Sequence, residues 1–210
     1  MATILRDWSY RYPWLYQGIS WLSALAVGGD YRFRRLFLQG LELTTSTQVL
    51  DLCCGTGLAT EILAQYSNQV TGLDASPRSL ATARQKLPQV KFVQGWAEQM
   101  PFSDQSFDLV LTSTALHEMT PNQLQQILCE VYRVLKPGGK FSLVDFHRPT
   151  NPLFWPPLAT FLYLFETETA WQLLQTDLGQ SLEQVGFTLD QTNLYAGGSL
   201  QVVLVTKPHI

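Results

Sequence analysis

From residue 47 onward, short apolar runs alternate with longer stretches in which apolar residues recur every three or four positions. TQVLDLC (47–53) predicts a buried strand, and GLATEILAQY (57–66) the helix that follows it. QVTGLD (69–74) predicts a second strand, and SPRSLATARQKL (76–87) a helix with Ser as its N-cap and Pro in its first turn. VKFVQG (90–95) and FDLVLTS (107–113) read as the third and fourth strands. In TPNQLQQILCEVYRVLK (120–136) apolar residues fall at 124, 127, 128, 131, 134 and 135, one face of a helix that Thr-Pro starts and KPGG closes. KFSLVDF (140–146) is the fifth strand.

Strands separated by helices at this spacing imply a parallel sheet with right-handed crossovers. After Pro149 the rhythm changes to an apolar flap, PLFWPPLATFLYLF (152–165), and then a helix over 169–185. FTLDQTNLY (187–195) and LQVVLVTK (200–207) are joined by AGGS, a hairpin-type link, so the last strand should run antiparallel to its neighbour. The expected fold is a single α/β domain over 1–210, with a doubly wound, mostly parallel sheet of seven strands and an antiparallel last strand. Its parts are a helical lid (1–40) rich in aromatics (Trp8, Tyr10, Tyr12, Trp14, Tyr16), a ligand-binding core (47–146), an apolar insertion and helix (150–186) and a C-terminal strand pair (187–207).

Composition narrows the function classes. With 46% hydrophobic and 15% charged residues the chain is ordinary globular material. A net charge of −3, with Arg32, Arg34 and Arg35 as the sole basic cluster, argues against a nucleic-acid partner. Cys53, Cys54 and Cys129 form no disulfide framework and no zinc-like spacing, so no metal is expected and a reducing cytoplasm fits best. No run reaches the roughly 18 apolar residues of a spanning helix. The flap is too short for one and carries Pro156 and Pro157, which leaves it as cover for a greasy ligand, a subunit interface, core, or a peripheral membrane contact.

The chemistry begins at VLDLCCGTGLAT (49–60), where a glycine loop follows the first strand. Ligands of open α/β sheets bind at the carboxyl ends of the strands. The dinucleotide fingerprint needs a third small residue at position 60, which here is Thr60. Asp51, beside the loop, would repel a diphosphate and attract an ammonium. S-adenosylmethionine (SAM) meets that demand: it has no phosphate, and it carries a positive amino group and a sulfonium. Asp74, ending the second strand, can accept hydrogen bonds from ribose hydroxyls, which SAM and NAD would both require.

VLDLCCGTG, GLDASPRSLATAR, GWAEQMPFSDQSFDLVLTS and RVLKPGGKF, in that order over 47–146, resemble the class I SAM-dependent methyltransferases, a Rossmann-like family. The resemblance implies that Asp51, Cys53, Gly55, Thr56 and Gly57 hold the methionine part of SAM, that Asp74 takes the ribose, and that Ala75 and Ala97 line the adenine, with Ser113 ending the fourth strand beside them. Where the family has an acid that contacts the adenine, this chain has Trp96, which either covers the purine or packs in the core. Within the superfamily, PFSDQSFD, VYRVLKPGG, VDFHRP, the apolar insertion and AVGGDYRFRR are similar to the quinone C-methyltransferases of ubiquinone, menaquinone and phylloquinone biosynthesis. That likeness implies a lipophilic demethyl-quinol as acceptor, Arg34 as partner of the SAM carboxylate, and Tyr16 as counterpart of a lid tyrosine. The alternatives are O- or N-methylation of a small molecule and, more distantly, an NAD-binding oxidoreductase or a non-catalytic nucleotide-binding module.

One departure touches the reaction. Where the quinone enzymes show Gly-Leu-Arg-Asn after the fourth strand, this chain reads Ala115-Leu116-His117-Glu118. Methylating a ring carbon requires a neighbouring hydroxyl to lose its proton, and a neutral His117 is a suitable acceptor, unless it is a hydrogen-bonded loop residue. His147, ending the fifth strand, is the second candidate.

Overall fold

A computed structural model describes residues 28–209. Seven strands, β1 (Gln48–Leu52), β2 (Gln69–Asp74), β3 (Lys91–Gln94), β4 (Phe107–Ser113), β5 (Leu135–Phe146), β6 (Thr188–Tyr195) and β7 (Leu200–Thr206), form one sheet. Its order is β3-β2-β1-β4-β5-β7-β6. The first five strands are parallel, and β7 lies antiparallel between β5 and β6. The α/β sheet expected from the sequence is thus present, including the reversed last strand.

Helices cover both faces because the strands are apolar on both. The described helices are α1 (Asp30–Phe33), α2 (Leu58–Leu63), α3 (Pro77–Lys86), α4 (Pro121–Val134), α5 (Trp155–Phe165), α6 (Glu168–Leu173) and α7 (Leu178–Val185). On one face Leu50, Leu52, Val110, Phe141 and Leu143 pack with α4, α6 and α7 through Ile127, Leu128, Leu173 and Leu182. On the other, Val49, Leu109, Leu111 and Val144 pack with Ile62 and Leu63 of α2 and with Leu36 and Phe37. Leu36 and Phe37 belong to a 3-10 turn, Leu36–Leu38, and the Phe37 carbonyl accepts a 2.8 Å hydrogen bond from Ser142 Oγ. The end of the expected lid is therefore part of the core; Tyr16 and the other aromatics before residue 28 lie outside the described residues.

Three local differences from the sequence reading have physical causes. The stretch 169–185 is two helices, because the Asp177 carboxylate caps a new N-terminus by accepting from Gln180 N (3.0 Å). The apolar flap is largely helix α5, with Pro156 and Pro157 in its first turn, where a missing N–H costs nothing. KPGG does not merely end α4: it runs inside β5, opposite an irregularity in the β4–β5 register between Phe107 and Leu109.

Strand order reverses between β1 and β4, so their carboxyl ends flank the crevice where open sheets bind ligands. Gly72 in β2 helps seat the loop there: a Cβ at this position would lie 2.7 Å from the Phe92 ring and 2.9 Å from Cys54 Sγ. Gly72→Ala should cost about 1–3 kcal/mol of stability by overpacking. Chemical denaturation measures this, and an unchanged midpoint would contradict the packing.

Candidate active site

The loops leaving β1 and β4 both begin with a residue other than glycine in the left-handed region, Cys53 (φ 58°) and Thr114 (φ 52°). Such backbone is costly and gathers at functional sites. After Cys53 the chain turns through Gly55 (φ 54°) and Gly57 (φ 83°), which caps α2, with Thr56 half-buried between them. A Cβ on Gly55 would meet nothing within 4 Å, so a ligand can approach this backbone. One on Gly57 would lie 3.3 Å from Ala83 Cβ, so that glycine serves helix packing instead.

Asp51 is buried, at 1% exposure, and accepts a 2.5 Å hydrogen bond from the Thr60 hydroxyl. Burial pushes its carboxyl up to about 7; Thr60 opposes the rise and the nearby Asp74 charge adds to it. Asp74 ties the loop together: its Oδ2 accepts from Gly55 N and its Oδ1 from Ser76 N, both at 2.8 Å. Burial, then the charges of Asp74, Asp51, Glu118 and Glu98, push the Cys53 thiol up to about 12; Cys54 rises for the same leading reason. With their thiols pushed up, neither is a reactive thiolate near neutral pH.

Of the remaining expected cofactor residues, Ser113, Ala75, Trp96 and Ala97 lie at or just beyond the carboxyl ends of strands, and Tyr16 lies outside the described residues. Ser113 ends β4, Ala75 follows Asp74, and its carbonyl accepts from Gln94 Nε2 (3.3 Å). Ala97 is buried, whereas Trp96 is 68% exposed, which removes it from the core. Glu98 accepts from Gln123 Nε2 (2.7 Å), fixing this segment to the start of α4. Arg34 is half-buried between α1 and the following 3-10 turn.

His117 sits in a 3-10 turn, Leu116–Glu118, and is 5% exposed. Its Nδ1 donates to Asp145 Oδ1 at 2.7 Å, and its Nε2 lies 3.6 Å from Glu166 Oε2. Asp145 is wholly buried and also accepts from the N–H groups of Leu116 (2.8 Å), His117 (3.3 Å) and Phe146 (2.8 Å). Burial disfavours the charged imidazole, but the Asp145 charge and hydrogen bond, with Glu166 and Glu118 behind them, outweigh it and push His117 up to about 9. The carboxylates around the ring therefore favour its protonated form over the neutral imidazole expected at working pH. His147 is engaged elsewhere, its Nδ1 donating to the Gly198 carbonyl (2.8 Å) in the β6–β7 link.

An aromatic row leads away from this ring. Phe146 is 4.6 Å from His117 between centroids, Phe161 is 5.7 Å from Phe146, and Phe165 is 5.5 Å from Phe161. Sequence reasoning missed Thr60, Asp145 and Glu166 as site residues. Asp145 carried the same signal as Asp51, an acid inside an apolar strand run.

Because Thr60 partners the buried acid, Thr60→Val should lower stability by about 1–3 kcal/mol where Asp51 is ionised. Asp51 titrates upward, near 7, so the deficit should be larger at pH 8 than at pH 5.5. Denaturation at both pH values checks this; equal deficits would refute the assignment.

Comparison with known proteins gives the family. A family model described as a methyltransferase domain matches residues 49–139. A methyltransferase of Synechocystis sp., itself uncharacterised, is 61% identical over 203 residues, spanning 97% of this chain and 96% of its own. A demethylmenaquinone methyltransferase of Lactobacillus johnsonii is 34% identical over 205 residues, covering 83% of each chain. Among solved structures, a SAM-dependent methyltransferase from Mesorhizobium loti shares the fold with a TM-score of 0.64 at 20% identity, over 82% of this chain and 95% of that one. The chain belongs to the class I SAM-dependent methyltransferases, near those named for quinone substrates, and SAM is its cofactor.

Proposed function

We propose that this enzyme methylates a ring carbon of a lipophilic demethyl-quinol. When bound, SAM supplies a methyl group on a positively charged sulfur. The residues of the crevice fit it. Open space over Gly55 admits a ligand to the backbone, and Asp51 offers a carboxylate to an ammonium. Asp74 has spare lone pairs for ribose hydroxyls beside its two backbone bonds. Cys53, Thr56 and Gly57 complete the methionine side in this reading. Ala75, Trp96, Ala97 and Ser113 line the rest, with exposed Trp96 able to fold over the purine.

The observation that carries the acceptor class is the aromatic row running from His117 through Phe146 and Phe161 to Phe165, along apolar α5. A polar acceptor would leave that wall unused. A quinol can set its hydroxyl at His117 Nε2 and lay its apolar tail along the row. The relatives named for demethylmenaquinone support the same reading. As a cation, His117 faces the oxygen as it becomes an oxyanion, and Asp145 keeps the ring in place. Arg34 as partner of the SAM carboxylate, Tyr16 as a lid residue and peripheral contact with a membrane are part of the same proposal. No helix among the described residues is long and apolar enough to cross a membrane.

A second reading has its own observation. The carboxylates of Asp145, Glu118 and Glu166 around His117 would suit a cationic amine and hence N-methylation. Turnover of SAM against naphthoquinols, benzoquinols, small phenols and amines decides between them. Activity confined to the polar compounds would overturn the quinol reading. His117→Ala should lower turnover about 10²–10⁴-fold with SAM affinity intact. If the imidazolium is the working form, wild-type activity falls as pH rises through about 9, and the variant lacks that limb. A rate that instead climbs up to that pH would make His117 the base.

A further inference from the structure

Two features of the sequence have taken no part in the site, the glycines of the AGGS link and His147, and the fold brings them together. Residues 147–154 strap the end of β5 to the start of α5, and this strap lies along the β6–β7 link. His147 N donates to the Ser199 carbonyl (3.0 Å) and its Nδ1 to the Gly198 carbonyl (2.8 Å). Thr150 N (3.0 Å) and Asn151 N (2.9 Å) share the Gly197 carbonyl. The link offers these carbonyls by turning left-handed at Ala196 (φ 49°), Gly197 (φ 62°) and Gly198 (φ 88°) in succession. Such backbone persists only where its surroundings over-determine it.

Contact gives the link a second reason to be bare. A Cβ on Gly197 would run into the Phe154 ring, and one on Gly198 into Thr150. Phe154 therefore rests on glycine backbone, and it immediately precedes Trp155, the first residue of α5. Resting on the acceptor wall proposed above, we infer that Gly197 sets specificity for the acceptor's tail: it seats Phe154 and so fixes where α5 begins. His147 serves the same seat as a positioning residue through its Nδ1–H.

The lever is the helix. α5 has 11 residues and moves as a stiff rod. Its Leu158 and Leu162 pack with Ala170 and Leu174 on the downstream side. A shift at Phe154 therefore tilts α5 about that packed half and moves Phe161, whose ring meets Phe146 at 5.7 Å. Phe146 directly precedes His147, and its carbonyl accepts from Gln201 Nε2 (3.0 Å) in β7. Both rings of the wall thus take their places from the strap and from β7. His117 is anchored separately, by Asp145. A change at Gly197 is then read in tail binding rather than in the chemical step.

The test compares wild type with Gly197→Ala, Phe154→Ala, the double variant, His147→Ala and His147→Asn. Each is assayed on 1,4-naphthoquinols carrying a long and a short 2-alkyl chain, with SAM affinity and thermal unfolding measured alongside. SAM affinity should be unchanged. Gly197→Ala should raise KM for the long-chain acceptor about tenfold, with kcat and the short-chain KM held within about threefold. In the Phe154→Ala background the added methyl has no ring to meet, so its effect on KM should vanish. His147→Ala should act in the same direction, and His147→Asn, which restores an N–H donor, should recover the wild-type KM. Should Gly197→Ala fail to fold, Phe154→Ala, which strains no backbone, carries the same comparison between the two chains. Equal KM rises on the two acceptors, or a Gly197→Ala effect that survives the loss of Phe154, would overturn Gly197 and leave the quinol reading standing. His147→Asn as poor as His147→Ala, with the loss in kcat, would overturn the role of His147. A wild type that methylates only amines removes the wall and its seat together.

Discussion

Everything in the crevice is arranged around one expensive group, the Asp51 carboxylate. Its titration near 7 instead of the ordinary range means that folding with it ionised costs roughly 4 kcal/mol at alkaline pH, a penalty that fades as pH falls from about 7 toward the unfolded value and is absent below it. A domain of this size has only about 5–15 kcal/mol of net stability, so such a cost is not retained idly. Thr60 recovers part of it, and that residue is the one that spoils the dinucleotide fingerprint. A buried acid is a poor host for a diphosphate and a good one for an ammonium. Charge at one position thus separates two cofactor classes that share the same fold.

The same logic recurs across the switch point. Asp145 is a second acid buried in an apolar strand, satisfied by three backbone N–H groups and one side chain. Asp51 is tied to α2 through Thr60, Asp74 holds the loop after β1, and Asp145 holds the turn after β4. Each of these loops opens with a left-handed residue that is not glycine, Cys53 and Thr114. Strained backbone after β1 and β4 and buried acids in β1 and β5 thus gather at the carboxyl ends of the central strands, where open sheets bind ligands.

Much of this was legible in the chain. Parallel strands buried on both faces read as unbroken apolar runs, and capped amphipathic helices read as periodic ones, so β1 to β5 and α4 stood out. The glycine loop and Asp74 stood out because backbone conformation and ligand chemistry restrict those positions to a few residue types. What failed to show was set by tertiary contact. The Asp177 cap that divides the helix over 169–185 is a local competition that periodicity does not register. The charge state of His117 depends on Asp145, 28 residues away, and on Glu166 further still. A lone histidine after a strand says nothing about how many carboxylates will surround it.

Burial pushes the Asp51 carboxyl up to about 7, so a cation that binds beside it should draw its proton off. Calorimetry of SAM binding at pH 7, repeated in buffers of different ionisation enthalpy, measures the protons exchanged. With Asp51 near 7, ionisation on binding should release roughly half a proton per SAM, and Asp51→Asn should abolish the release. Tight SAM binding with no proton released, or with proton uptake, would contradict the role assigned to the buried acid.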